Sequence, residues 1–203
     1  MEYLDYYDEA LNKLGKASRD EVHEKALWHK TIHCWLYDAD GNIYFQIRAG
    51  AKKLYTSASG HVLAGETVAV AFAREISEEI GLTLKTDNAQ LIEITIWKMD
   101  KLKNGKMWRD RVFANVYMCQ IDDGAKFNFD ENEVLGLVKV DANECLNLLH
   151  SENKHKKIKA VKYSNAGTQN IKVGFNDFLV QQGEIAIIKY GKILQAIIGA
   201  CAK

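Results

Sequence analysis

Arg74, Glu75, Glu78 and Glu79 are the residues of this chain whose types and spacing could do chemistry. They lie in a run from Thr67 to Ile80 that has no glycine or proline and stops at Gly81. That run predicts a helix with a glycine C-terminal stop. At about 100° per residue, Glu75, Glu78 and Glu79 fall within an arc of about 100°. Val68, Phe72, Ala73, Ile76 and Ile80 fill the neighbouring stripe, which should face a core. Three carboxylates therefore line one edge of a helix whose other edge is anchored.

Two such charges about 5 Å apart repel by roughly 3 kcal/mol at an effective dielectric of 20. A helix gains nothing in stability from collecting three of them. Hard divalent cations remove the repulsion, and oxygen ligands are what Mg²⁺ and Mn²⁺ prefer. Such cations bridge a diphosphate and lower the pKa of a bound water. Arg74 stands four residues before Glu78 and eight after Glu66, so it can pair with either carboxylate and orient it. The plainer alternative is a solvated acidic helix face.

Residues 60–82 decide between these readings. They run GHVLAGETVAVAFAREISEEIGL, a pattern G-x5-E-x7-R-E-U-x-E-E-x-G-U in which U is bulky and apolar. Its positions are Gly60, Glu66, Arg74, Glu75, Ile76, Glu78, Glu79, Gly81 and Leu82. A chance match is on the order of 10⁻⁹ per starting position, so coincidence does not compete. The stretch is identified as the signature box of the Nudix hydrolase superfamily. That resemblance implies a mixed sheet sandwiched between helices, a catalytic set of Glu75, Glu78, Glu79, Arg74 and Glu66, and Mg²⁺ or Mn²⁺ as cofactor. It also implies metal ligands at Glu75, Glu78, Glu79 and the carbonyl of Ser59. One further glutamate from beyond the box is implied: Glu133, with Glu131 and Asp130 competing.

The segment from about Glu2 to Leu82 resembles the isopentenyl-diphosphate isomerase branch of that superfamily. It carries DEVHEKALWHKTIHCWLYDADGNIYFQIR, then two lysines, then SGHVLAGE. In that branch the isomerases need a cysteine before the Gly-His step and a glutamate on a later strand. Here Ser59 precedes Gly60, and DRVFANVY offers Arg109 and Arg111 where acidic residues would stand. An arginine is neither a base nor a metal ligand. The box is complete, whereas in the isomerases it is usually degenerate. A hydrolase is the reading, with an isomerase as the alternative. His23, His29 and His61 match positions where the branch holds a second metal. Without acidic partners they read as structural or substrate-contacting histidines. Arg48, Lys52 and Lys53 could clamp a diphosphate, with an exposed basic loop as the equal alternative.

Elements must position these groups. YLDYY and KASR read as two strands around a turn, EVHEKAL as a short helix, and TIHCWLYDADGNIYFQIR as a hairpin about Asp38–Asn42. AQLIEITIWKMD and DRVFANVYMCQI flank a second hairpin turn, Lys103-Asn104-Gly105-Lys106. VLGLVKV is a further strand, and Asp141 with Glu144 opens a capped helix. The apolar tail after Asn176 reads as a helix packed on the body, with a homodimer contact as its alternative. Gly183, Gly191 and Gly199 could break that helix. Strands with helices against them give an α+β layered (α/β/α) fold. The chain reads as one domain over residues 1–203, with an N-terminal β-hairpin extension and a C-terminal helical tail.

The remaining bounds are ordinary. The 203 residues are 47% hydrophobic and 27% charged, a globular balance. A net charge of +0 points to no nucleic-acid polymer and no membrane surface. The opening MEYLDYYDEALNK has no signal-peptide core. Lys189 and Lys192 interrupt the apolar tail short of a membrane span. Cys34, Cys119, Cys145 and Cys201 form no C-x-x-C pair, and free thiols fit a reducing cytoplasm. The expectation is a metal-dependent pyrophosphohydrolase acting on a small-molecule diphosphate, a nucleoside di- or triphosphate derivative first among them.

Overall fold

Alternation along the central strands sorts the core into two layers. In β3 (Trp28–Tyr37), Ile32, Cys34 and Leu36 point to one face, and Trp35 and Tyr37 to the other. Strand β4 (Asn42–Arg48) divides the same way: Tyr44 joins the first layer, Ile43 and Phe45 the second. A computed structural model describes the chain apart from residues 104, 180–183 and 203 and the side chains of residues 103 and 184–189.

The first layer is closed by α2 (Val68–Ile80), which buries Ala71, Phe72, Ile76 and Ile80 against β3 and β4. Burial of each large side chain contributes about 1.5–3 kcal/mol. Thr67 caps this helix by accepting from the Val70 amide, and Gly81 ends it at φ 74°, in the left-handed region. A Cβ on Gly81 would also meet Asn128 at 2.8 Å. The second layer is closed by α3 (Ala142–Leu149) and α4 (Glu184–Cys201), which contribute Cys145, Leu148, Leu149, Tyr190, Ile193, Leu194 and Ile197. Asp141 caps α3, accepting from the Glu144 amide at 2.8 Å. The result is the expected mixed sheet between helices.

β3 pairs in parallel with β8 (Lys106–Gln120) over nine residues, His29 to Tyr37 against Val112 to Gln120. β7 (Ala89–Lys103) pairs antiparallel with β8. On the other side β4 pairs with β9 (Val134–Asp141). The short β5 (Lys53–Tyr55) and β6 (Ala58–His61) add to β4 and β3. β1 (Tyr3–Tyr7) and β2 (Lys13–Ser18) form the N-terminal hairpin, with β1 also touching β3 at Tyr6 and Tyr7. With α1 (Arg19–Glu24) the hairpin has its own small core of Leu4, Ala17 and Val22.

The sequence reading names no element between 157 and 174; there β10 (Lys157–Ser164) and β11 (Gly167–Gly174) form a hairpin that extends the sheet beyond β9. Lys157 and Lys159 alternate with Ile158 and Ala160 at the start of β10 and break up its apolar signal. α4 also runs unbroken through Gly191 and Gly199; Gly183 lies outside the described residues. Packing against the second layer outweighs the helix cost of about 1 kcal/mol per glycine. Among the described residues no helix is long and apolar enough to cross a membrane.

Candidate active site

β6 and α2 meet at the box, and the contact is so close that only glycine fits. A Cβ on Gly60 would lie 1.9 Å from the carboxyl carbon of Glu75. Next to it, the Ser59 amide donates to Glu79 Oε2 at 2.9 Å, and Gln46 Nε2 approaches the same oxygen at 3.5 Å. Glu75 and Glu79 are buried, while Glu78 stands out in solvent.

Arg74 ties the loop to the helix. Its Nε donates to Glu66 Oε1 at 2.8 Å and its Nη2 to Glu66 Oε2 at 3.0 Å. Nη1 reaches Glu75 Oε1 at 2.8 Å and Glu78 Oε2 at 3.0 Å, and Nη2 also donates to the His61 carbonyl at 2.9 Å. Glu66 in turn accepts from the Leu63 amide at 2.8 Å. One guanidinium thus holds three carboxylates and the strand that carries Gly60. Its hydrogen bond to Glu66 holds that carboxyl below its ordinary value and raises Arg74 itself.

Burial has the opposite effect on the two inner glutamates. It raises Glu75 despite the neighbouring Arg74. It pushes Glu79 up to about 8, opposed by the Ser59 amide and reinforced by the charge of Glu75. Glu133 adds further negative potential at both. A pair of buried carboxylates that resist ionisation is a site a divalent cation would relieve. The donor set also fits one: Glu75, Glu78, Glu79, Glu133 and Ser59 line one cavity of about 670 Å³.

The same cavity is lined by Arg48, and by Trp97, Met99, Lys101, Trp108, Asp110 and Val112 from the β7–β8 hairpin. Arg48 acts electrostatically on Glu79 and lies 5.7 Å from the Tyr55 ring. Lys52 and Lys53 do not line the cavity. The Lys53 ammonium instead donates to the Asn176 carbonyl, and Lys52 occupies a tight turn at φ 51°. Of the three expected phosphate-clamping cations, Arg48 alone is placed where it could serve. Glu66 stands behind Arg74 rather than in the cavity wall.

The histidines have acidic partners after all. One ring nitrogen each of His23, His29 and His61 lies within 4.8 Å of the others. His23 Nε2 pairs with Asp110 at 2.9 Å, and His61 Nδ1 with Glu2 at 3.4 Å. The sequence reading fixed on Arg109 and Arg111, which is the wrong parity. On β8 the cavity face carries Trp108, Asp110 and Val112, and a slip of one residue exchanges the faces of a strand. Arg109 donates to the Glu24 carbonyl and Arg111 to Asp100. His29 is fully buried, and its Nδ1 lies 3.1 Å from the Leu27 carbonyl while its Nε2 has no partner among the described residues. Burial holds His29 down at about 3, with the charges of His61 and His23 adding to it. A neutral imidazole with its second nitrogen unpartnered, as in His29, is the form that ligates a transition ion. Glu2, Gln46 and Tyr55 went unnamed in the sequence because nothing local marks them.

The box geometry, one helix carrying the carboxylates against a glycine strand, matches a known family. The NUDIX domain model matches residues 27–161. The chain belongs to the NUDIX family. An uncharacterised Nudix hydrolase of Clostridium acetobutylicum is 34% identical over 163 residues, 74% of this chain and 75% of that protein. An isopentenyl-diphosphate Delta-isomerase of Photorhabdus laumondii is 33% identical over 85 residues, 39% of this chain and 48% of that protein. A solved structure from Deinococcus radiodurans shares the fold, with TM-score 0.52 and 21% identity over 71% of this chain and 86% of that one.

Proposed function

We propose that this NUDIX protein is a divalent-metal-dependent pyrophosphohydrolase that cleaves a phosphoanhydride bond in a small organic diphosphate. The observation that carries the reading is the complete carboxylate set on α2. Glu75 and Glu79 are buried beside Gly60 and Ser59, Glu78 is at the rim, and all share one cavity with Glu133 and Arg48. Glu75, Glu78, Glu79, Glu133 and the Ser59 carbonyl would hold Mg²⁺ or Mn²⁺. A bound divalent cation supplies neutralisation of the diphosphate charge and acidifies the attacking water.

The protein's own groups do the rest. Arg74 fixes Glu75 and Glu78 and ties their helix to the loop of Glu66, so the carboxylates do not reorganise as charge develops. Arg48 is placed to balance the leaving phosphate. Water attacks one phosphorus, the bridging P–O bond breaks, and the other phosphate departs. A nucleoside di- or triphosphate derivative is the first class to assay, because a cavity of about 670 Å³ lies within the range that encloses such ligands.

A second reading rests on the imidazole cluster. His23, His29, His61 and Asp110 could hold a second ion, and the isomerase relative aligns with part of this chain. Against isomerisation, Ser59 stands where that chemistry needs a thiol, and a hydroxyl is a poorer proton donor to an alkene. Phosphate release from nucleotides, nucleotide sugars and isopentenyl diphosphate separates the two readings. Hydrolysis of any of them with Mg²⁺ is expected. Formation of dimethylallyl diphosphate without phosphate release would select the isomerase.

A further inference from the structure

β7 pairs with β8 on one side and with no strand among the described residues on the other. It runs for 15 residues, and past the shift between Leu91 and Glu93 its register on β8 is regular to Lys103. A long regular edge is a template for another strand. The edge strands β2 and β11 are blunted by polar side chains: Lys13 and Lys16 in one, Gln169, Asn170 and Lys172 in the other. β7 is not blunted in this way. Trp97, Met99 and Lys101 turn to the cavity, so alternation puts Ile94, Ile96, Lys98, Asp100 and Leu102 on the opposite face. There Ile96 is 58% exposed and Leu102 72%. Single exposed apolar residues are ordinary, but a row of them along one free edge marks a contact surface.

The order of charges along the strand decides what covers it. When a strand pairs antiparallel with its own copy about a two-fold axis, one residue faces itself and the others exchange partners symmetrically. With Met99 on the axis, Lys98 faces Asp100 twice and Ile96 faces Leu102 twice. An axis at Lys98 or Asp100 sets like charges face to face. An axis at Trp97 opposes Ile96 to Lys98 and Ile94 to Asp100. The Met99 register therefore matches charge to opposite charge and apolar to apolar along the exposed face. Asp100 already accepts from Arg111 of its own chain at 2.6 Å, so a second copy's lysine completes a short row of alternating charges.

We propose that β7 is a homodimer interface: two copies of this chain join edge to edge, antiparallel about Met99, and their sheets become continuous. The tail helix α4 is not the contact, because its Ile193, Leu194 and Ile197 are already buried in the second layer. Trp97, Met99 and Lys101 also wall the cavity that holds the α2 carboxylates, so the contact backs that wall in each copy.

Sedimentation equilibrium of the full chain over a dilution series is the test. A single strand pair is a small interface, so the dimer should dominate at roughly 100 µM and dissociate on dilution. Lys98→Asp and Asp100→Lys each put like charges face to face twice and should weaken the dimer by at least about 10-fold. Combining the two substitutions restores opposite charges and should bring the dimer constant back to within about 3-fold of wild type. Met99→Cys should form an intermolecular disulfide on mild oxidation that the wild type, with its own four cysteines, does not. Facing Cα atoms of an antiparallel pair lie about 4.5–5.5 Å apart, within disulfide reach. Asp100→Lys also removes the partner of Arg111, so Lys98→Asp and Met99→Cys carry the test if that variant does not fold. A wild type that is monomeric at every concentration overturns the proposal. So does a dimer indifferent to Lys98→Asp, or a folded double variant that stays dissociated.

Discussion

Arg74 and Glu66 form a two-point ion pair, Nε to Oε1 at 2.8 Å and Nη2 to Oε2 at 3.0 Å, that joins the loop after β6 to α2. Both side chains are mostly buried, so breaking the pair removes the two-point partner of Arg74 and leaves its guanidinium to Glu75, Glu78 and the His61 carbonyl. Glu66→Gln should lower stability by about 1.5–3 kcal/mol and reduce activity with it. The check is the melting temperature of the metal-free protein. A Glu66→Gln variant that melts like wild type yet is inactive would place Glu66 in the chemistry instead.

Gly60 owes its place to Glu75. A methyl group there would overlap the Glu75 carboxyl carbon at 1.9 Å. Gly60→Ala should therefore displace Glu75 or β6. It should weaken Mn²⁺ binding by at least about 10-fold, while Gly65→Ala, whose Cβ would meet nothing within 4 Å, should keep near-normal metal affinity. Equal affinities in the two variants would contradict the close contact. Gly65 sits at φ 82°, so its variant should also show the backbone strain as a lower melting temperature.

Glu79 makes the metal-free protein sensitive to alkali. Its carboxyl is raised to about 8 in the fold, against 4.5 as the ordinary value. The native state thus holds a proton that the unfolded chain releases, and stability falls as pH rises from about 4.5 to about 8. His29, lowered to about 3, acts only below its ordinary 6.5, where stability rises with pH. Between pH 7 and 8.5 the melting temperature of the metal-free wild type should fall, and Glu79→Gln should flatten that slope. Saturating Mn²⁺ should reverse it, because the ion takes the place of the proton. Parallel slopes for wild type and Glu79→Gln would count against the assignment.

The sequence made the box legible because its chemistry is local. Helix period, a glycine stop and a fixed spacing place Glu75, Glu78, Glu79 and Arg74 together without tertiary knowledge. The two-layer sandwich was legible from alternation in β3 and β4. What failed was non-local or shifted by one residue. Asp110 was passed over because the parity of β8 was misjudged, although i, i+2 spacing from Trp108 to Val112 was available as a signal. Lys53, a candidate for either phosphate contact or an exposed basic loop, donates to a carbonyl on a segment more than a hundred residues away, a contact no local pattern announces. Glu2 reaches His61 only because the β1–β3 contact brings the chain's second residue to the cavity.

The central claim is that carboxylates on α2 hold a cation that cleaves a diphosphate. ³¹P NMR of a diphosphate panel, with and without Mg²⁺, for the wild type and Glu79→Gln tests it most directly. The account predicts cleavage to two phosphorylated products that requires the cation, with turnover lowered by at least about 10²-fold in a folded Glu79→Gln. Cleavage that proceeds equally with chelator present, or near-wild-type turnover in Glu79→Gln, would contradict it.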